Sequence, residues 1–163
     1  MTRILVSLLS SLAVGTAAAA IAPCQATPTR GEYLAAIMDC GGCHTEGALA
    51  GKPDSALRLA GSTIGFGAPG LGIFYPPNLT SDPETGLGDW SEADIVKAVR
   101  TGERPDGREL APMMPWRSYA VLTDEDALAL AAYLKSLPPV RHAVPPPTGP
   151  DEKAPAPYLG VLQ

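Results

Sequence analysis

Cys40-Gly41-Gly42-Cys43-His44 is the stretch on which the reading of this 163-residue chain turns. Cysteines three positions apart fall on one face of a helix, and a histidine follows directly. That spacing lets both thiols reach the vinyl groups along one edge of a haem, while the imidazole turns under the iron. Gly41 and Gly42 carry no bulk, so a flat macrocycle can lie against the backbone there. The motif predicts covalent attachment of haem at Cys40 and Cys43, with His44 as the proximal iron ligand.

Two other uses of paired cysteines compete with this one. A zinc site needs two further Cys or His ligands at short spacing. Beyond Cys24, the sequence offers only His142, near the far end. A dithiol redox pair normally follows a strand in a βαβ pattern. Here the pair follows a helical stretch.

Residues 1–26 read as a secretory signal peptide. Arg3 is a short positive start, Ile4 to Val14 is mostly apolar, and cleavage is expected after Ala20 or Ala26. Cleavage after Ala26 also removes Cys24, leaving no spare thiol in an oxidising compartment. No later segment is long and apolar enough to span a bilayer, so the expected location is periplasmic, with no membrane span after signal cleavage. Loss of Arg3 takes the net charge from −5 to −6. That balance disfavours nucleic acid, which needs a basic surface, and suits a partner with a positive docking patch.

Aromatic residues make up 6% of the chain, against 17 glycines and 18 prolines. Such a composition builds a thin core, which a large apolar cofactor would complete. The expected fold is all-α: helices around one haem, with long loops and a proline-rich C-terminal tail. Residues 27–137 form the expected domain and 138–163 the tail. Gly31 to Asp39 reads as a helix with Tyr33, Leu34, Ile37 and Met38 on its apolar face. Thr45 to Asn78, rich in glycine and proline, reads as irregular, a loop whose length calls for a job such as wrapping a cofactor. Ser91 caps a second helix with an acid three residues on, Ile95, Val96 and Val99 on one side, and Gly102 at its end. Thr123 opens the last helix, with Ala127, Leu130, Ala131, Leu134 and Leu137 inward, and Pro138-Pro139 stop it. Eight of the 18 prolines follow residue 137, so the tail should be extended and partly mobile.

An electron carrier needs a sixth iron ligand, and methionine opposite histidine raises the potential. Met1 leaves with the leader, and Met38 sits on the helix that enters the motif. Met113 and Met114 remain, in a loop stiffened by Pro112 and Pro115 about seventy residues after His44. His142 is a further, lesser candidate.

From about Arg30 to Val140 the chain resembles the single-haem cytochrome c domains in the cytochrome subunits of membrane-bound alcohol and aldehyde dehydrogenases. The segments RGEYLAAIMDCGGCHT, PPNLTSDPETGLGDWSEADIVKAVRTGERPDG, MPW and SYAVLTDEDALALAAYLKSLPPV carry the resemblance. It implies a class I cytochrome c fold, the methionine before proline (Met114) as sixth ligand, and Asn78 and Trp90 near the haem propionates. Arg100, Arg104 and Arg108 are further candidates for a propionate, with surface exposure the plainer reading. Two features depart from the family pattern. Those subunits usually carry three haem domains and a membrane-associating segment, whereas this chain has one haem motif and a proline tail. Gly47 to Ile73 also matches poorly.

The expected function is a mono-haem electron carrier, not an enzyme. It would take single electrons from a dehydrogenase and pass them towards a downstream oxidase or electron carrier. A haem enzyme or gas sensor with an open sixth position is the alternative, and a subunit serving assembly or anchoring is a third.

Overall fold

The computed structural model describes residues 29–160. The expected leader and Cys24 lie outside the described residues, as do Val161 and Leu162.

Thr29 opens the first helix, α1 (Arg30–Ile37), its hydroxyl accepting the Glu32 N–H at 3.2 Å. The face that α1 buries is turned from the one expected. Gly31, Leu34 and Ala35 are inward, with Met38 packed against the same core, whereas Tyr33 and Ile37 are 45% and 60% exposed. The cause is a close helix crossing. A Cβ on Gly31 would strike the Ala129 carbonyl and lie 2.5 Å from Tyr133 Cβ on the last helix, α5 (Asp124–Ser136). Small residues, rather than large apolar ones, set which side of α1 can approach. The Arg30 guanidinium holds the Asp126 carboxylate in two contacts of 2.7 and 3.0 Å, fixing the same crossing from outside.

Asp39 adopts a left-handed conformation (φ 53°) and separates α1 from the short helix α2 (Cys40–His44). The Asp39 carboxylate folds over Gly42, filling the space where a Cβ would stand. Gly42 thus serves a close approach by its own neighbour.

The stretch expected to be irregular contains a hairpin, so the fold is not purely α-helical. Strands β1 (Gly65–Ala68) and β2 (Gly72–Phe74) pair antiparallel, with Phe66 opposite Phe74. A two-residue strand, β3 (Tyr158–Leu159), adds to β1 in parallel, giving the order β2-β1-β3. The strand glycines have a reason: a Cβ on Gly65 would lie 2.8 Å from the Tyr75 ring, and one on Gly67 would lie 2.9 Å from the Tyr158 ring.

The capping predictions match the structure. Helix α3 (Glu92–Thr101) starts in a capping box between Ser91 and Asp94 and ends at Gly102 with φ 78°. Helix α5 is capped by Thr123 and buries Ala127, Leu130, Ala131 and Leu134, with Leu137 partly buried against the core. A single turn, α4 (Trp116–Tyr119), lies between them. No helix among the described residues is long and apolar enough to cross a membrane.

The segment after Leu137 is extended, as its prolines require, and is held to the body of the fold. Asn78 Nδ2 donates to the Val140 carbonyl at 2.7 Å, and the His142 ring nitrogen Nδ1 bonds the Ala60 carbonyl at 2.9 Å. Thr148 bridges to Ile73, and the Tyr75 hydroxyl donates to the Ala156 carbonyl at 2.8 Å.

Candidate functional site

A cavity of about 510 Å³ opens between α2, the hairpin, the loop before α4 and the inner faces of α3 and α5. Its size falls within the roughly 300–1,000 Å³ of cofactor clefts. Leu79, Leu87, Ile95, Val99, Leu130 and Leu134 give it apolar walls.

Helix α2 presents Cys40, Cys43 and His44 along one side of this cavity. Both cysteines are free thiols, Cys40 buried and Cys43 half-buried. Burial pushes the Cys40 thiol up to about 11, with smaller upward contributions from Asp39 and Cys43. Burial also raises Cys43. Thiols raised in this way are poorly ionised for disulfide exchange. No group of three or more His, Cys, Asp or Glu side chains is placed to hold a metal ion among the described residues.

His44 is buried, and its Nδ1 lies 2.8 Å from the Pro77 carbonyl. A carbonyl only accepts, so Nδ1 carries the proton and Nε2 keeps its lone pair for a metal. Burial lowers the His44 pKa, against a smaller rise from the Pro77 bond, and favours this neutral form.

Met113 and Met114 both line the cavity. Their loop is tightened by the Met114 N–H donating to the Ala111 carbonyl at 2.9 Å and the Trp116 N–H to the Met114 carbonyl at 2.8 Å. Five residues past Met114, the Tyr119 hydroxyl donates to the Met38 carbonyl at 2.9 Å. This ties the methionine loop to the end of α1, just ahead of Cys40. Burial pushes the Tyr119 hydroxyl up to about 12, keeping it a donor.

Trp90 also lines the cavity, with the Arg104 guanidinium 5.1 Å from its ring centroid. Arg104 and Arg108 both border the cavity and both contact Asp106. Arg100 is elsewhere, paired with Asp124. The structure thus gathers Cys40, Cys43, His44, Met113, Met114 and Trp90 around one space.

Asn78 and His142 are not among the cavity's lining residues. Asn78 is 1% exposed and its amide is fully engaged: Nδ2 donates to Thr85 Oγ1 and the Val140 carbonyl, while Oδ1 accepts from the Thr80 N–H and hydroxyl. No donor is left over for a propionate. His142 faces Ala60 and Glu46. Tyr119, Phe66 and Phe74 border the cavity but carry no signal in the sequence, because their partners lie far away along the chain.

A second, shallower groove of about 620 Å³ lies between α3 and α5, against Val96, Arg100 and Leu128. It is lined by no thiol, imidazole or thioether, unlike the first cavity.

The residues present fit a haem: two thiols and an imidazole on one side, thioethers on another loop, apolar walls and arginines at the border. When bound, such a group supplies one-electron exchange at iron. Cys40, Cys43 and His44 are the residues that would hold it, and the apolar walls would keep water from it. A haem protein built on helices is the class that fold and site define.

The chain matches the sequence model of the family "Cytochrome c" over residues 28–138. It is 42% identical over 138 residues to the gluconate 2-dehydrogenase cytochrome c subunit of Pantoea cypripedii, covering 82% of this chain and 29% of that protein. It is 42% identical over 116 residues to a subunit of the nicotinate dehydrogenase of Pseudomonas putida, covering 71% and 9%. To the cytochrome c subunit of the quinone alcohol dehydrogenase of Gluconobacter oxydans it is 39% identical over 109 residues, covering 67% and 21%. The chain therefore spans less than a third of the length of each of these relatives. The protein belongs to the cytochrome c family, whose domain implies covalently bound haem c.

Proposed function

We propose that this protein is a periplasmic, mono-haem electron carrier. It would accept single electrons from a dehydrogenase and deliver them to a downstream oxidase or carrier. Cys40 and Cys43 would hold the haem covalently, and His44 Nε2 and Met114 would be its iron ligands. Trp90 and Arg104, stacked on each other beside the cavity, would serve the propionates. The observation that carries this reading is the convergence of the His44–Pro77 pair, both thiols and the methionine loop on one apolar cavity. Support for a dehydrogenase donor comes from the relatives, three of which are named as subunits of such enzymes.

The test is the holoprotein produced with haem-attachment machinery. Mass spectrometry should show one haem added to the mature chain. The long-wavelength methionine–iron charge-transfer band should vanish in Met114→Ala and persist in Met113→Ala. Ready carbon monoxide binding by the wild type would instead favour the open-site alternative and defeat the carrier reading.

A further inference from the structure

We propose that Val144–Pro147, carried by the extended segment after α5, form a wall of the haem crevice that shuts it to water on the hairpin side. This rests on the haem reading above and adds to the binding site a segment that lies past residue 138, where the family match ends.

Val144, Pro145, Pro146 and Pro147 all line the cavity, beside Phe66 and Phe74 of the hairpin. An extended strand would normally be a poor wall for an apolar cofactor, since its free N–H groups would be stranded there. Three consecutive prolines remove that objection. They have no N–H, and their polyproline backbone needs no internal hydrogen bonds. Only their carbonyls remain as polar backbone groups.

Its position is fixed at both ends. Upstream, Val140 and His142 are bonded to Asn78 and Ala60. Downstream, Thr148 N–H donates to the Ile73 carbonyl at 2.9 Å, and Ile73 N–H donates back to the Thr148 carbonyl at 3.1 Å. Two glycines seat it. A Cβ on Gly61 would lie 2.6 Å from Val144 Cγ1, and one on Gly72 would strike the Thr148 carbonyl. Both glycines have positive φ, 94° and 108°.

The functional consequence is electrostatic. Ferric haem carries one more positive charge than ferrous, and a dry wall penalises the more charged state. Admitting water through the wall should stabilise the ferric form and lower the midpoint potential.

Three holoproteins test this: Val144→Asn, which adds a neutral polar group without touching the backbone bonds, a chain ending at Pro139, and Val121→Asn as a control at an 85% exposed site. The expected result is a lower potential in Val144→Asn than in Val121→Asn, with several-fold faster oxidation by ferricyanide in both Val144→Asn and the truncated chain. Should the truncated chain fail to accumulate, Val144→Asn decides. Equal potentials in Val144→Asn and the control, with haem attached in both, overturn the wall alone. A wild type without covalent haem overturns the functional reading and the wall together.

Discussion

Replacing Asn78 separates two roles that its residue type allows. If it served a propionate, Asn78→Ala would shift the potential and leave unfolding almost unchanged. The structure makes it instead the pin between the Pro76–Thr85 region and the chain after α5. Its loss removes the acceptor of the buried Thr80 N–H and two donated bonds, to Thr85 Oγ1 and the Val140 carbonyl. The Thr80 hydroxyl, 3.4 Å from Val140 O, can turn towards that carbonyl, so the Thr80 N–H is the group left stranded. A stranded buried donor costs about 1–3 kcal/mol and a lost neutral bond about 1 kcal/mol. The expected destabilisation is about 2–4 kcal/mol, a large share of the roughly 5–15 kcal/mol of a domain. Urea unfolding of the oxidised holoprotein should show it as a midpoint lower by about 1–2 M, given slopes of about 1–3 kcal/mol per M. Limited proteolysis should cut near residues 138–142 sooner than in the wild type. A loss below about 1 kcal/mol, or a protected tail, would refute the pinning argument.

Gly31→Ala should destabilise the fold although alanine is the better helix former: its Cβ meets Ala129 O and Tyr133 Cβ, and overpacking costs about 1–3 kcal/mol. A thermal midpoint above the wild type's would show that the helices separate freely. Tyr119→Phe removes the bond to the Met38 carbonyl and should cost about 1 kcal/mol in urea unfolding, with the methionine–iron band weakened as its loop loosens. An unchanged band and midpoint would deny the tether. Asp82 accepts from the Thr85 hydroxyl and N–H and the Glu84 N–H, and the Thr85 bonds hold its pKa below the ordinary 3.8. Its folded value is depressed, so its contribution is complete above the unfolded value and is lost as pH falls through the folded one. Acid titrations of Asp82→Asn should therefore show less loss of stability below pH 4 than the wild type, and parallel curves would contradict this.

The helices, their caps and the grouping of Cys40, Cys43 and His44 on one short helix were legible because their signals are local. Ser91 with Asp94, Gly102, Thr123 and the Cys40–His44 run each declare themselves within a few residues. What failed to show depends on distant partners. The buried face of α1 is decided by Gly31 against a carbonyl on α5, almost a hundred residues on, so Tyr33 and Ile37 point outward while Leu34 and Met38 stay on the core. The hairpin hid among glycines whose missing side chains are replaced by the rings of Tyr75 and Tyr158. Asn78 suits a propionate by resemblance, but its partners, Val140 among them, lie in a segment that reads as a linker.

Four consecutive residues show why site and tail belong to one mechanism. The Tyr75 hydroxyl bonds Ala156, the Pro76 carbonyl accepts the Ser62 N–H at 3.0 Å, the Pro77 carbonyl accepts from His44 Nδ1, and Asn78 donates to Val140. Pro76 and Pro77 have no N–H of their own to satisfy, and their carbonyls go to different partners. The Gly61 N–H closes the circuit by donating to the His44 carbonyl at 2.9 Å, while Gly61 itself seats Val144. The group that orients the proximal imidazole is therefore built into the strip that anchors the tail. On the proposed reading, a carbonyl held firmly on Nδ1–H would make Nε2 a stronger donor to iron, and a loosened one would weaken that donation. Release of the tail from this strip would then act on the iron through two routes of opposite sign. Admitted water would lower the potential, whereas a slackened Pro77 bond would favour ferrous iron and raise it. Val144→Asn, which removes none of the strip's backbone bonds, tests chiefly the first route, and truncation sums both.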